Sequence, residues 1–172
     1  MERKGAITFK GGPLTLVGPE LKVGDTAPDF TALDASLGAV KLSSFKGKTV
    51  VLSSVPSLDT PVCETQTKKF NSEAAGLDVK VLTLSVDLPF AQKRFCDAFK
   101  IQNVLTLSDY RDHDFANKYG LMIKELGLLA RAVIVIDPSG KIKHFELVKE
   151  VTQEPNYGAA LNSIKKSAAA VV

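Results

Sequence analysis

The chain has 172 residues, of which 45% are hydrophobic and 24% are charged, and its net charge is +3. This length and composition are typical of a globular protein, and we predict one domain over residues 1–172. Lysine and arginine are interleaved with acidic residues, and the lack of a basic stripe argues against nucleic-acid binding. No apolar run approaches the length of a membrane-spanning helix, so we expect no membrane insertion.

Strands and helices are predicted to alternate after an N-terminal β-hairpin across Gly11-Gly12. Apolar alternation or continuous apolar runs predict these strands in chain order: Ile7–Lys10, Pro13–Val17, Phe30–Leu33, Val40–Leu42, Thr49–Val55, Asp78–Val86, Asn103–Ser108, Arg131–Asp137 and Lys141–Val148. Apolar residues at helical spacing predict these helices: Pro61 to about Ala75, the Asp87-Leu88-Pro89 segment to about Phe99, Asp112–Tyr119, and Tyr157 to about Ser167.

This order predicts an α/β fold with a central mixed, mainly parallel sheet and helices on both faces. The turn Pro138-Ser-Gly140 folds Arg131–Asp137 back onto the next strand, which gives the sheet an antiparallel edge. A strand that leads into a cysteine at a helix start, with a closing strand–strand–helix unit, is a thioredoxin-like arrangement. The N-terminal β-hairpin is an addition to that fold.

The cysteines and the N-terminus limit the class of protein further. Cys63 and Cys96 are too few for a disulfide scaffold, and neither His113 nor His144 has ligand-like spacing to them. We therefore expect no metal site and no bound cofactor. Met1–Lys10 lacks the apolar segment of a signal peptide, which favours the cytoplasm. A periplasmic protein whose signal peptide had been removed would look the same.

Cys63 is the most informative residue, because it falls in the first turn of a predicted helix directly after a buried strand. Thr60 is a natural N-cap, and Pro61 then falls at the first helical position. The sulfur would lie near unpaired backbone N–H groups and the positive end of the helix dipole, which favours a reactive thiolate. The position alone is equally consistent with an inert core cysteine.

A thiolate at this position is compatible with several reactions. A cysteine hydrolase needs a histidine near the sulfur, but neither His113 nor His144 stands in a recognisable partner motif. A thioredoxin-type exchanger needs a second cysteine three positions after the first, and this chain has none there. What remains is a thiolate assisted by a hydroxyl, backbone N–H groups and a remote cation.

The residues around Cys63 resemble a known family. Pro56-Ser-Leu-Asp-Thr60-Pro-Val-Cys63 matches the peroxiredoxin motif of a proline, three residues, a threonine or serine, two residues and a cysteine. The longer stretch Ser54–Thr67 with Phe70-Asn71 resembles the thiol peroxidase subfamily, the atypical 2-Cys peroxiredoxins of bacteria. Further segments resemble the same subfamily: Arg94–Cys96, Ser108–Arg111, Leu128–Val133 and Glu150–Pro155.

The resemblance implies roles for five residues. Cys63 would be the peroxidatic cysteine and Cys96 the resolving cysteine. Thr60 would hydrogen-bond the sulfur and the bound peroxide, and Arg131 would stabilise the thiolate and polarise the peroxide. Pro56 would shield the site and fix the turn. The structural alternatives are a helix cap for Thr60, a turn former for Pro56, a surface strand end for Arg131 and an inert half-buried thiol for Cys96.

The implied function is reduction of hydrogen peroxide and alkyl or lipid hydroperoxides. Cys63 would become a sulfenic acid, and Cys96 would convert it to an intramolecular disulfide. Thioredoxin would then reduce that disulfide. The resemblance also implies a homodimer. Apolar Val55, Leu58 and Val62 are compatible with an alkyl or lipid hydroperoxide. A glutathione-peroxidase-like site needs a tryptophan, which the chain lacks. The remaining alternative is a redox-sensing or binding module whose disulfide signals without rapid turnover.

Overall fold

The computed structural model describes residues 1–169, and the last three residues of the predicted domain lie outside this part of the chain. Its strands are β1 (Glu2–Phe9), β2 (Gly12–Val17), β3 (Thr31–Leu33), β4 (Ala39–Lys41), β5 (Thr49–Ser54), β6 (Val79–Ser85), β7 (Val104–Ser108), β8 (Met122–Ile123), β9 (Leu128–Leu129), β10 (Ala132–Ile136) and β11 (Ile142–Leu147). Its α-helices are α1 (Pro61–Ala74), α2 (Pro89–Phe99), α3 (Asp114–Tyr119) and α4 (Tyr157–Ala169), and a 3-10 turn spans Leu42–Phe45.

The central sheet has the strand order β11-β10-β5-β6-β7-β3-β4. Strands β5, β6 and β7 run parallel, and the strands on either side of them pair antiparallel. Helix α1 connects β5 to β6, and α2 connects β6 to β7, as parallel neighbours require a crossover connection. The predicted α/β class is confirmed, with the parallel pairing concentrated at the centre of the sheet.

Helices cover both faces of this sheet, as predicted. Helices α1, α2 and α4 pack on one face, against these strand residues: Val51, Val81, Val104, Val133 and Val135. Helix α3 and the N-terminal strands pack on the other face, against these: Val50, Leu52, Leu82, Leu84 and Ile134. Successive strand residues point to opposite faces, so a strand covered on both sides is buried along its length. Strand β5, which leads towards Cys63, is buried at every residue.

The predicted N-terminal hairpin is confirmed, but its turn lies one residue earlier than Gly11-Gly12. Phe9 pairs with Gly12, so Lys10 and Gly11 form the turn, with φ values of 50° and 82°. Positive φ at both central residues is the two-residue turn whose twist matches the strands of a hairpin. Strands β8 and β9 extend the hairpin to a four-stranded sheet. These two-residue strands are too short to show alternation in the sequence.

Helix α3 begins at Asp114, two residues later than predicted. The carboxylate of Asp109 accepts hydrogen bonds from the backbone N–H groups of Phe115 (3.0 Å) and Ala116 (2.9 Å). It thereby satisfies donors of the first helical turn from outside the helix. Burial raises the pKa of Asp109 to about 6. A local side-chain contact, from a residue six and seven positions before the N–H groups it binds, therefore accompanies this helix start.

The other helices begin where the sequence predicts. Pro61 and Pro89 stand at the start of α1 and α2, where their missing N–H costs no hydrogen bond. Asn156 caps α4, because its side-chain oxygen accepts from the N–H of Ala159 at 3.0 Å. Within residues 1–169, no helix has the length and apolar character needed to cross a membrane.

Candidate active site

Cys63 is the third residue of α1, following the N-cap residue Thr60 and the proline at the helix start. A short loop, residues 55–60, connects β5 to this helix. The cysteine is fully buried and belongs to the apolar cluster that contains Val55 and Leu58. The first-turn backbone N–H groups of a helix have no acceptors within it, and they favour a negative charge nearby. Cys63 is therefore both a core residue and a helix-start residue.

Arg131 is the cation beside this sulfur. Its Nη2 atom lies 3.3 Å from Cys63 Sγ, and the residue is 2% exposed. The alternative of a surface strand end is therefore wrong. Among the ion pairs of residues 1–169, none joins Arg131 to a carboxylate. A buried guanidinium without a carboxylate partner favours an anion at the position of the sulfur.

Gln66 holds the guanidinium in place, a role that the sequence reasoning missed. Arg131 Nη1 donates to Gln66 Oε1 at 3.0 Å, and Gln66 Nε2 donates to Ser53 Oγ at 2.8 Å. Gln66 is fully buried. Residues three apart lie on the same side of a helix, so the spacing of Gln66 from Cys63 is the sequence signal that could have identified it.

The backbone of Val151 provides a further acceptor for the same side chain. Arg131 Nε donates to the Val151 carbonyl at 2.9 Å. The guanidinium is a rigid planar fork, so hydrogen bonds at Nε and Nη1 together fix the direction of Nη2. That direction leads to the sulfur of Cys63. The orientation of the cation is therefore set by neutral groups on two other segments of the chain.

Thr60 and Pro56 both lie in the loop before Cys63. Thr60 has the extended backbone of an N-cap residue, but its side chain makes no capping hydrogen bond. Its hydroxyl donates instead to the Ser57 carbonyl at 3.0 Å, so the expected side-chain cap is wrong. Among the hydrogen bonds of the described residues, none joins the Thr60 hydroxyl to the Cys63 sulfur. Pro56 is buried next to Val55, in a position that suits a rigid turn.

Cys96 lies on α2 and is half-buried, and within the described residues neither it nor the fully buried Cys63 forms a disulfide. Its sulfur contacts Thr106 Oγ1 on β7 at 3.6 Å. Burial raises the pKa of the Cys96 thiol. Its neighbour Phe95 is buried, and the Phe95 and Phe99 ring centroids are 4.9 Å apart. The structure therefore packs Cys96 against β7, within an apolar layer.

Asp87 joins the loop before Cys63 to the start of α2. Its carboxylate accepts hydrogen bonds from the Ser57 hydroxyl (2.7 Å), the Leu58 N–H (2.8 Å) and the Ser85 hydroxyl (2.7 Å). A cavity of about 470 Å³ lies between this loop and α2, and it is lined by Ser57, Leu58, Asp59, Asp87, Ala91, Arg94, Phe95, Ala98 and Phe99. One carboxylate thus connects the segments that carry the two cysteines.

The two histidines do not contribute to this site. His113 is the N-cap residue of α3, and His144 lies on β11, where burial lowers its pKa. In the described part of the chain, no hydrogen bond joins either of them to Cys63. The base of a cysteine hydrolase is therefore missing. Within residues 1–169, no three or more His, Cys, Asp or Glu side chains lie together in a position to hold a metal ion.

Comparison with known proteins extends these observations. The family model described as Redoxin matches residues 22–161. The thiol peroxidase of Bacillus subtilis is 55% identical over 160 residues, which are 92% of this chain and 96% of the relative. The thiol peroxidase of Oceanobacillus iheyensis is 53% identical over 161 residues, which are 93% of this chain and 98% of the relative. A peroxiredoxin-like protein from Aquifex aeolicus has a crystal structure with a TM-score of 0.90 and 50% identity, covering 95% of this chain and 97% of its own.

The thioredoxin-like fold and the buried thiol beside an arginine define a thiol-based redox enzyme. The chain belongs to the Redoxin family, within which it is a peroxidase of the peroxiredoxin type. The resemblance to thiol peroxidases is confirmed. The individual roles of Cys63, Cys96, Thr60, Arg131 and Pro56 stay predictions, for which the geometry above provides the basis.

Proposed function

We propose that this enzyme reduces hydrogen peroxide and organic hydroperoxides with Cys63 as the nucleophile. The observation that carries the proposal is the 3.3 Å contact between Arg131 Nη2 and Cys63 Sγ. A neighbouring cation stabilises a thiolate, and the thiolate is the form of cysteine that attacks. Relatives named thiol peroxidase, at 53% and 55% identity, support the same reaction.

In the first step, the Cys63 thiolate attacks the terminal oxygen of ROOH and the O–O bond breaks. The sulfur becomes a sulfenic acid, and the leaving oxygen takes up a proton and departs as ROH. Arg131 stabilises the negative charge as it moves from the sulfur to the leaving oxygen. Thr60 donates to the Ser57 carbonyl, so its oxygen keeps lone pairs that can accept the O–H of the peroxide.

The surroundings of Cys63 support organic hydroperoxides as substrates in addition to hydrogen peroxide. Val55 and Leu58 are buried beside it, and Pro56 shields the same loop from water. Apolar neighbours disfavour a charged R group and are compatible with an apolar one.

In the second step, the Cys96 thiol condenses with the sulfenic acid, releasing water and forming a Cys63–Cys96 disulfide. Closing a loop of about 34 residues constrains the unfolded chain by about 4 kcal/mol in the entropy model. A catalytic disulfide must stay reducible, so strain in the oxidised fold has to offset part of this stabilisation. Displacement of Cys96 from its contact with Thr106 is a source of such strain.

In the third step, a dithiol protein of the thioredoxin type reduces the disulfide and restores both thiols. The resemblance to the thiol peroxidase subfamily supports this reductant and a homodimeric enzyme. We place the reaction in the cytoplasm, where such dithiols are kept reduced.

The test measures NADPH consumption in the presence of peroxide, thioredoxin and thioredoxin reductase. The wild-type enzyme should turn over many times, and Cys63→Ser should show no activity above background. Cys96→Ser should be oxidised once and then stop, because no disulfide forms for thioredoxin to reduce. Recycling of Cys96→Ser at the wild-type rate would contradict its role as the resolving cysteine. A wild-type protein that is oxidised once but not recycled would contradict thioredoxin as the reductant.

A further inference from the structure

The carbonyl of Val151, which orients Arg131, is itself held by the N-terminal hairpin. Val151 is buried and lies in the turn after β11. Its N–H donates to the Thr8 carbonyl at 2.9 Å, and the Thr8 N–H donates to the Lys149 carbonyl at 2.7 Å. Strand β1 therefore binds the backbone on both sides of Glu150. The proposed reaction uses the Val151 carbonyl but gives the neighbouring Glu150 side chain no role.

The Glu150 side chain ties the same turn to the tip of the hairpin. One carboxylate oxygen accepts from the Thr8 hydroxyl (2.5 Å) and the Gly11 N–H (3.2 Å). The other accepts from the Lys10 N–H (2.9 Å), the Thr152 hydroxyl (2.8 Å) and the Thr152 N–H (3.3 Å). These hydrogen bonds lower the pKa of Glu150 to about 2, and the one from the Thr8 hydroxyl contributes most. The carboxylate is therefore ionised wherever the enzyme is folded and working.

We propose that Glu150 is a positioning residue for the peroxidase reaction. It locks the hairpin tip onto the turn, and so fixes the Val151 carbonyl that orients the guanidinium of Arg131 towards Cys63. The inference rests on the proposed role of Arg131. It also assigns a function to the N-terminal hairpin, which the thioredoxin-like fold does not contain.

The sensitivity of the reaction to this anchor follows from the shape of the guanidinium. A planar fork that loses its Nε acceptor can rotate, and Nη2 then moves away from the sulfur. A displacement of about 1 Å at a reacting group can cost on the order of 100-fold in rate. Glutamine at position 150 keeps one carbonyl oxygen but replaces the second acceptor with a donor. Glu150→Gln therefore weakens the anchor without removing the side chain.

Glu125, in the turn between β8 and β9, offers a control. Its carboxylate oxygens accept from the Thr15 N–H at 2.9 and 3.0 Å. It therefore anchors β2 in the way that Glu150 anchors the hairpin tip. The group it binds is on β2, and among the described residues it makes no hydrogen bond to the turn that contains Val151. Glu125→Gln makes the same chemical change at a carboxylate that binds one backbone N–H, and it leaves the path from Thr8 to Arg131 intact.

The experiment measures the second-order rate constant for oxidation of Cys63 by hydrogen peroxide, using rapid quenching and mass spectrometry. Glu150→Gln should oxidise about tenfold more slowly than wild type. Glu125→Gln should stay within about twofold of wild type. Should Glu150→Gln fold poorly, Thr8→Val and Thr152→Val each remove one hydroxyl donor from the carboxylate. Each of these variants should also slow the oxidation of Cys63, by a smaller factor than Glu150→Gln does.

A double variant separates positioning from general loosening of the fold. In an Arg131→Met background, Glu150→Gln should cause no further slowing, because Glu150 acts through Arg131. Slowing by the same factor in both backgrounds would overturn the inference. Equal slowing by Glu150→Gln and Glu125→Gln would also overturn it. If Arg131→Met alone oxidised at the wild-type rate, the proposed role of Arg131 would itself be wrong.

Discussion

The guanidinium of Arg131 meets the thiol of Cys63 at 3.3 Å in a part of the core that solvent barely reaches. A buried cation is costly unless anions or strong acceptors satisfy it. Its other hydrogen-bond acceptors, the Gln66 amide and the Val151 carbonyl, are neutral. Among its hydrogen-bond partners in the described chain, Cys63 is the group that can become an anion. The structure therefore places a buried cation directly beside the thiol that we propose attacks peroxide.

Arg131→Met should slow the oxidation of Cys63 by about 10²–10³-fold, the usual effect of removing one charge-stabilising donor. The side chain keeps its bulk but loses the cation that stabilises the charge moving from the sulfur to the leaving oxygen. Arg131→Lys is the matched control. It keeps the charge but cannot bind Gln66, Val151 and the sulfur together, and should retain part of the rate. An unchanged rate in Arg131→Met would make Arg131 a bystander.

Gln66→Leu should lower the free energy of unfolding by about 1–3 kcal/mol. The change leaves Arg131 Nη1 without its buried acceptor and Ser53 without its donor. Thr65→Ala, on the exposed side of the same helix, is the control and should change stability by about 0.5 kcal/mol or less. Urea unfolding measures both. Equal stability of the Gln66 and Thr65 variants would show that the buried hydrogen bonds contribute little.

Asp109 should make stability fall as the pH rises from about 4 to about 6. Burial raises its pKa from 3.8 to about 6 in the folded protein, so the folded state binds this proton more tightly than the unfolded state does. The stabilisation is complete below pH 4 and is lost as the pH rises through 6. The shift corresponds to about 3 kcal/mol. Asp109→Asn lacks this titration, so the wild-type advantage over it should shrink between pH 4 and pH 7. A difference that stays constant with pH would contradict the shift.

Local patterns were sufficient to locate Cys63 in the fold. The N-cap residue Thr60 and the helix-start proline Pro61 lie within three residues of it, so the helix start could be predicted from the chain itself. The contact with Arg131 spans 68 positions and depends on the pairing of β10 with β5. No local pattern encodes that pairing, and the role of Arg131 came from the resemblance to peroxiredoxins.

Contacts between distant segments explain what the sequence reasoning missed. Gln66 acquires its role from the position of Arg131, and the Val151 carbonyl from the pairing of its turn with β1. The later start of α3 has a local cause instead, because the Asp109 carboxylate binds N–H groups of the first turn that lie six and seven positions further along the chain. Strands β8 and β9 have two residues each, which is too short for an alternating pattern to be recognised.

Oxidation should unwind part of α1 or α2. A disulfide needs the two Cα atoms within about 7 Å, but Cys96 is held against Thr106 and Cys63 against Arg131. Amide hydrogen exchange of the reduced and disulfide forms should show faster exchange in 61–74 or 89–99 after oxidation. Cys96→Ser treated with one equivalent of peroxide is the control, and its exchange should stay close to that of the reduced protein. Equal protection of both helices in the two wild-type states would show that no unwinding occurs.

The role of Cys63 as the nucleophile is tested most directly by measuring the two thiols one at a time. The chain has two cysteines, so Cys96→Ser retains the Cys63 thiol alone and Cys63→Ser retains the Cys96 thiol alone. The measurement is the second-order rate constant for loss of the single thiol with hydrogen peroxide at neutral pH. We expect the Cys63 thiol to react about 100-fold faster or more, because the adjacent cation stabilises the charge that develops on the reacting atoms, whereas burial raises the pKa of Cys96. Equal rates for the two thiols, or a faster Cys96, would contradict Cys63 as the peroxidatic residue.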